Sequence, residues 1–232
     1  MTRIALIHAL MHSVAPINAE LEREWPQAQR MNLLDDSLSS DLARTSALGG
    51  QGLDTAMHQR FEALAAYAEG TGAQGILFTC SAFGPCIEAV ALRRPHMPVL
   101  KPNEAMVAEA VALGGRVGLI ASFAPTLTSM PPEFPPGTDL RAELAAGAME
   151  SLNRGDTAAH DARVVLAAAA LARQGCTVIA LAQFSMARAQ AAVQQALGLP
   201  VLTTPGSAVR SLRQRLGIDG QQVKGEGGQP LQ

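Results

Sequence analysis

The chain repeats itself, and the repeat limits its fold more than any other feature does. Pro98-Val-Leu-Lys101 returns 102 positions later as Pro200-Val-Leu-Thr203. Ile76-Leu-Phe78 returns after 103 positions as Ile179-Ala-Leu181, and Arg3-Ile-Ala-Leu-Ile-His8 resembles Arg116-Val-Gly-Leu-Ile-Ala-Ser122. These runs are apolar without polar alternation, the pattern of parallel strands buried on both faces. Helical patterns separate them: Val14 to Trp25, Leu53 to Glu69, one opening near Cys86, Asn103 to Gly114, Asp156 to Gln174 and one ending at Leu197. Two copies of such a unit predict an α/β protein with two pseudo-symmetric parallel-sheet domains, Rossmann or flavodoxin-like. The first domain takes residues 1–102 plus 205–232, because the last helix, from about Pro205 to Leu216, should cross back; the second takes 103–204. Ligands of open α/β sheets sit beyond the carboxyl ends of the strands, so the two halves should face each other across one site. A single continuous sheet with an accidental repeat is the alternative.

The remaining stretches are less regular. Gln29 to Leu34 and Asp139 to Leu144 read as weaker strands. Asp35 to Asp41 and Leu48-Gly-Gly-Gln-Gly52 read as an irregular segment over the sheet edge, a common form for a lid. A Gly/Gln-rich tail ends the chain and is expected to be disordered.

Composition excludes several classes of function. Of 232 residues, 48% are hydrophobic and 16% charged, so the chain is globular. The net charge is −2 and no basic stripe carries interleaved aromatics, which argues against nucleic acid. Ile4 to Met11 resembles a short signal-peptide core, but His8 interrupts it and no clear cleavage site follows, so it reads as a strand. Val164 to Ala172 falls short of the ~20 residues that span a bilayer, so no membrane is expected. Three cysteines are too few, and odd in number, for a secreted disulfide framework. A reducing cytoplasm is the expected compartment. The histidines and cysteines show no metal-binding spacing, so no metal is expected.

The chemistry concentrates at Phe78-Thr-Cys80-Ser-Ala82. Cys80 follows a buried strand and precedes a helical pattern, where free backbone N–H groups and the helix dipole favour an anion, either a thiolate or a substrate carboxylate. The alternative is a small buried hydrophobe, the commoner fate of a free cysteine. The amides of Ser81 and Ala82, the hydroxyls of Ser13, Ser81, Ser122 and Thr126, and the segment Gln183-Phe-Ser185 are candidate donors to a carboxylate; helix capping is the alternative for each hydroxyl. Gln183 closes a buried strand and needs partners, one of which a ligand could supply. Lys101 is placed to pair a substrate carboxylate or an aspartate such as Asp35 or Asp36. Phe83, Phe123 and Phe184 lie near strand ends and are candidates to line an apolar pocket. His160 reads as a solvated or interdomain residue.

Phe78-Thr-Cys-Ser-Ala82 and Leu181-Ala-Gln-Phe-Ser-Met186, at matching places in the repeat, resemble the paired motifs of the aspartate/glutamate/hydantoin racemase superfamily, and the likeness extends from about Arg3 to Leu216. It implies a cofactor-independent enzyme, commonly an isomerase, that transfers a proton at the carbon α to the carboxylate of a small (amino) acid. Two cysteines flank that carbon in the family; Cys80 matches the first, and Gln183 stands where the second is expected. A glutamine amide cannot exchange a proton at an accessible pKa. The group completing the pair would then be His8, His12 or Ser185. Otherwise the site works with one thiol, as in the family's arylmalonate decarboxylases, on a malonate-like acid, or it binds a small carboxylate without reacting. The resemblance also implies a homo-oligomer.

Overall fold

The computed structural model describes residues 1–47, 53–124 and 126–218. The first half contains β1 (Arg3–His8), α1 (Val14–Glu24), β2 (Gln29–Leu34), α2 (Ser37–Ala47), α3 (Thr55–Gly70), β3 (Gly75–Phe78), α4 (Gly84–Leu92), β4 (Val99–Leu100) and α5 (Glu104–Leu113). The second contains β5 (Val117–Ala121), α6 (Thr126–Ser129), β6 (Leu140–Leu144), α7 (Ala148–Asn153), α8 (Thr157–Arg173), β7 (Val178–Leu181), α9 (Gln190–Leu197), β8 (Val201–Thr203) and α10 (Thr204–Arg215). All strand pairs are parallel, and the two four-stranded sheets share one order, β2-β1-β3-β4 and β6-β5-β7-β8. The fold is therefore α/β with two separate sheets, and the alternative of one continuous sheet is excluded.

Successive residues of each central strand face opposite sides of its sheet, and both sides are packed. Ala5, Ile7, Ile76 and Phe78 meet Phe61 of α3 and Ile87 of α4. Phe61 also stacks on Phe78 at 5.2 Å between ring centroids. Ile4, Leu6 and Leu77 face the other way, onto Ile17 and Leu21 of α1 and Val209 and Leu212 of α10. In the second half, Ile120 and Ile179 pack on α8, while Leu119 and Ala180 pack on Met106 and Ala110 of α5. Each half thus borrows a helix. After β4 the chain sends α5 onto the second sheet, and after β8 it sends α10 onto the first. The two borrowed helices meet where Arg210 donates to both oxygens of Glu109, at 2.9 and 2.8 Å. Where α10 packs on the first sheet, Gly75 of β3 leaves room for Leu212: a Cβ there would lie 3.2 Å from Leu212 Cδ2.

Several elements differ from the sequence reading, the short α6 among them. Residues 37–47 form α2, not an irregular segment. Arg60 of α3 holds it in place, bonding Asp35, Asp41 and the Ser37 hydroxyl at 2.6 Å each, and this tertiary pairing outweighs the local turn preference of Ser and Asp. Helix α7 was not predicted; its six residues are too few for a periodic signal. A 3-10 stretch, Phe184–Ala189, precedes α9. The Gly49-Gly-Gln-Gly52 loop and the tail beyond residue 218 lie outside the described residues. No described helix is long and apolar enough to cross a membrane.

Candidate functional site

Strands β3 and β7 end in the same way. Each is followed by two extended residues and then a 3-10 turn: Thr79 and Cys80 before Ser81–Phe83, Ala182 and Gln183 before Phe184–Ala189. Cys80 and Gln183 therefore occupy equivalent positions, and both line one cleft of about 980 Å³ whose walls come from both halves. The first half supplies Ser13, Thr79 and Ser81 beside Cys80; the second adds Phe184, Ser185 and Arg188 beside Gln183.

Cys80 has two different sides. Ahead of it is the cleft; behind it Leu38, Phe61 and Phe78 close a void with no room for a water molecule. Burial pushes the thiol above its ordinary range, against the Ala82 N–H and the Ser39 hydroxyl, which pull it down. Ser39 also reaches the Ala9 carbonyl at 3.0 Å, and its one proton serves only one partner at a time. The net direction is opposite to that expected from a helix terminus. The physical reason is burial, which outweighs both donors; the 3-10 turn also separates Cys80 from α4, and a helix dipole fades within a turn.

Ser13 is not the side-chain cap that its position suggests. Its hydroxyl lies 2.8 Å from Thr79 Oγ1, and both hydroxyls contact His8 Nδ1, at 3.0 and 2.9 Å. On the far side, His8 Nε2 meets Asn32 Oδ1 at 3.0 Å. That oxygen also accepts from Asn18 Nδ2, so Nε2 carries the proton and Nδ1 accepts. Burial holds the His8 pKa down, against the raising effect of the Asn32 hydrogen bond. His8 is fully enclosed, ends β1 next to β3, and borders the same void behind Cys80. It is therefore no acid or base for the opposite face of a substrate; it supports Ser13 and Thr79 from behind. His12 is exposed and does line the cleft.

Gln183 already has a protein partner. Its Oε1 accepts from Ser122 N at 2.6 Å and from Ser122 Oγ at 2.9 Å. A backbone N–H only donates, so the amide orientation follows, and Nε2 is left without a partner among the described residues. Ser122 is buried behind Gln183 and its donors are spent, so it does not line the cleft. Thr126 opens α6 and is absent from the cleft wall as well. Ser81, Phe184 and Ser185 are present there, whereas Ala82 contributes its amide to Cys80. Phe83 is buried in the core against Phe61, and Phe123 is exposed away from the cleft. Lys101 pairs with Glu88 at 2.6 Å, and Asp35 with Arg60. His160 is fully buried, not solvated.

Other cleft residues were not anticipated. Thr79 reads in sequence as one more small residue after a strand. Asn103 reads as a cap, yet it makes no side-chain cap bond; its Nδ2 donates to Glu133. Met149 and Leu152 arrive on the unpredicted α7, and Glu20 and Arg23 on α1. Among the described residues no group of three or more His, Cys, Asp or Glu could hold a metal ion.

Comparison with known proteins agrees with this architecture. No curated protein sequence matches the chain. Its structure is similar to an aspartate racemase homologue from Pyrococcus horikoshii, with a TM-score of 0.67 and 15% identity over 92% of this chain and 98% of that one. It is similar to allantoin racemase from Klebsiella pneumoniae, with a TM-score of 0.65 and 16% identity over 94% and 89%. It is also similar to a mutant arylmalonate decarboxylase in a sulfate-associated form, with a TM-score of 0.65 and 19% identity over 99% and 97%. At these identities the likeness shows a common fold. The sequence profile described as Asp/Glu/Hydantoin racemase matches residues 17–212, most of the chain. The chain belongs to the Asp/Glu/hydantoin racemase family.

Proposed function

We propose that this protein is a cofactor-independent enzyme that moves a proton at the carbon α to a substrate carboxylate, with Cys80 as the proton carrier. The observation that carries this reading is the placement of Cys80 between a dry apolar backing and a cleft shared by both halves. The Ser81 hydroxyl and Gln183 Nε2 offer donors to the carboxylate, whose charge grows as an enediolate forms; the Ser13 proton is committed to the Leu10 carbonyl and the Thr79 proton to His8 Nδ1. Donors already aimed at developing charge are the main source of rate in such reactions.

Within this class, the amide at Gln183 favours one-sided chemistry. Racemisation by two bases needs a proton carrier on each face of the planar carbon. The cleft wall from the second half offers Gln183, Ser185 and Arg188, none of which exchanges protons near neutral pH. Decarboxylation of a malonate-like acid needs only one carrier. The electrons of the breaking C–C bond pass into the remaining carboxylate to form the enediolate, and carbon dioxide leaves. The Cys80 S–H proton then goes to the α-carbon, and solvent reprotonates the thiolate. A thiol whose pKa burial raises is a proton donor at neutral pH. The racemase reading survives if His12 serves the second face. Either way an α-ammonium group is poorly matched: Glu20 is the one carboxylate among the described cleft residues, and it is committed to Arg23 at 2.6 Å. Apolar walls at Met11, Met149 and Leu152 favour an acid with an apolar α-substituent.

The test offers 2-aryl and 2-alkyl malonates, and the matching monoacids, to the enzyme in D₂O. One-sided chemistry predicts carbon dioxide release and a product carrying one α-deuterium in a single configuration. Exchange of the monoacids with loss of configuration would instead favour the racemase. Binding without exchange or gas release would leave a carboxylate-binding protein.

A further inference from the structure

Two arginines line the cleft, and their side chains are committed differently. Arg23 gives one terminal nitrogen to Glu20 and the other to Glu24, at 2.6 Å each. Arg188 bonds through Nε alone, to the two carboxylate oxygens of Asp161 at 2.9 and 3.2 Å. Neither of its Nη atoms has a partner among the described residues, so the two-pronged end of the guanidinium is unoccupied. Asp161 is held in turn by His160, whose Nδ1 lies 2.7 Å from Asp161 Oδ1. The carboxylate only accepts, so Nδ1 carries the proton. His160 is fully buried, and its Nε2 has no hydrogen-bond partner among the described residues. The ring gives up a second hydrogen bond in the core and keeps the one that orients Asp161.

We propose that Arg188 is a specificity-determining residue that binds a second anionic group, a carboxylate or similar planar oxyanion, at the substrate end remote from Cys80. His160 and Asp161 are its positioning residues. Naming this group as part of a substrate rests on the α-proton reading above. Arg188 lies five residues beyond Gln183 along the 3-10 stretch, about 10 Å at roughly 2 Å per residue. The second anion therefore sits that far along the cleft wall from Gln183. With Nε pinned, the guanidinium cannot swing freely, so little side-chain freedom remains to be lost when an oxyanion takes the fork.

Binding is measured by titration calorimetry at low ionic strength with length-matched probes: glutarate against pentanoate, adipate against hexanoate, suberate against octanoate. At least one diacid should bind on the order of tenfold more tightly than its monoacid, and added salt should narrow the gap. Arg188→Gln should bring the ratio close to one, and Arg188→Lys, a point charge without the fork, should recover part of it. Asp161→Asn should lower the ratio although Arg188 is intact, an effect that fold support alone would not produce. The monoacid's own affinity in each variant reports whether the cleft still forms. Absence of a diacid preference in the unaltered protein, or a preference that survives Arg188→Gln, overturns the proposal. Cys80→Ala separates it from the proton-transfer reading: the diacid preference should persist there whether or not any probe acid reacts.

Discussion

At the scale of single residues, the account turns on why one thiol is kept protonated. Three influences act on Cys80: burial raises its pKa, while the Ala82 amide and the Ser39 hydroxyl lower it, and burial prevails. A proton donor loses activity when it loses its proton. The rate of protonation should therefore stay level through neutral pH and fall as pH rises past the ordinary thiol range. A thiolate base would give the opposite slope, with activity rising over the same interval. Measuring kcat/KM from pH 6 to about 10 on whichever probe acid turns over checks the sign. Cys80 was legible because a thiol closing an apolar run is visible in the letters. Gln183 was legible because the repeat gives it a counterpart. Thr79 and Arg188 were not, because a hydroxyl after a strand and an arginine near a helix start are ordinary until folding places them on one cavity wall.

At the scale of elements, strand ends and turns deliver the site, and side-chain pairing secures them. Oε1 of Gln183 satisfies the backbone N–H of Ser122 across from β7 to the end of β5, so Gln183 has a structural duty as well as a place in the cleft. Gln183→Leu should leave that N–H unpaired and cost about 1–3 kcal/mol, whereas Gln183→Glu keeps the acceptor and should cost less. Urea unfolding of the two variants checks the difference. The strands were legible from their unbroken apolar runs, and α3 and α8 from their length. Helix α2 was hidden because Ser and Asp prefer turns locally, and the force that overrides them comes from Arg60, a residue outside the segment. Helix α7 was hidden by its brevity, and with it went the Met149 and Leu152 side of the cleft.

At the scale of the whole molecule, duplication accounts for both the fold and the place of the chemistry. Two sheets of the same strand order exchange helices, and α5 meets α10 at the Glu109–Arg210 pair. The cleft draws its walls from both halves, so Cys80 of the first shares it with Gln183 and Arg188 of the second. The repeat spacing made this arrangement legible before any coordinates. The occupant of each wall was not, because it depends on which faces of α1 and α7 turn inward. The central claim is that the Cys80 sulfur carries the proton. The most direct measurement compares unaltered protein with Cys80→Ala for α-deuterium incorporation and carbon dioxide release in D₂O, with the unfolding midpoint taken alongside. The account predicts a loss of turnover on the order of 10²–10⁴-fold with the midpoint little changed, since a smaller apolar group fits the same dry backing. Turnover by Cys80→Ala at the unaltered rate would contradict it.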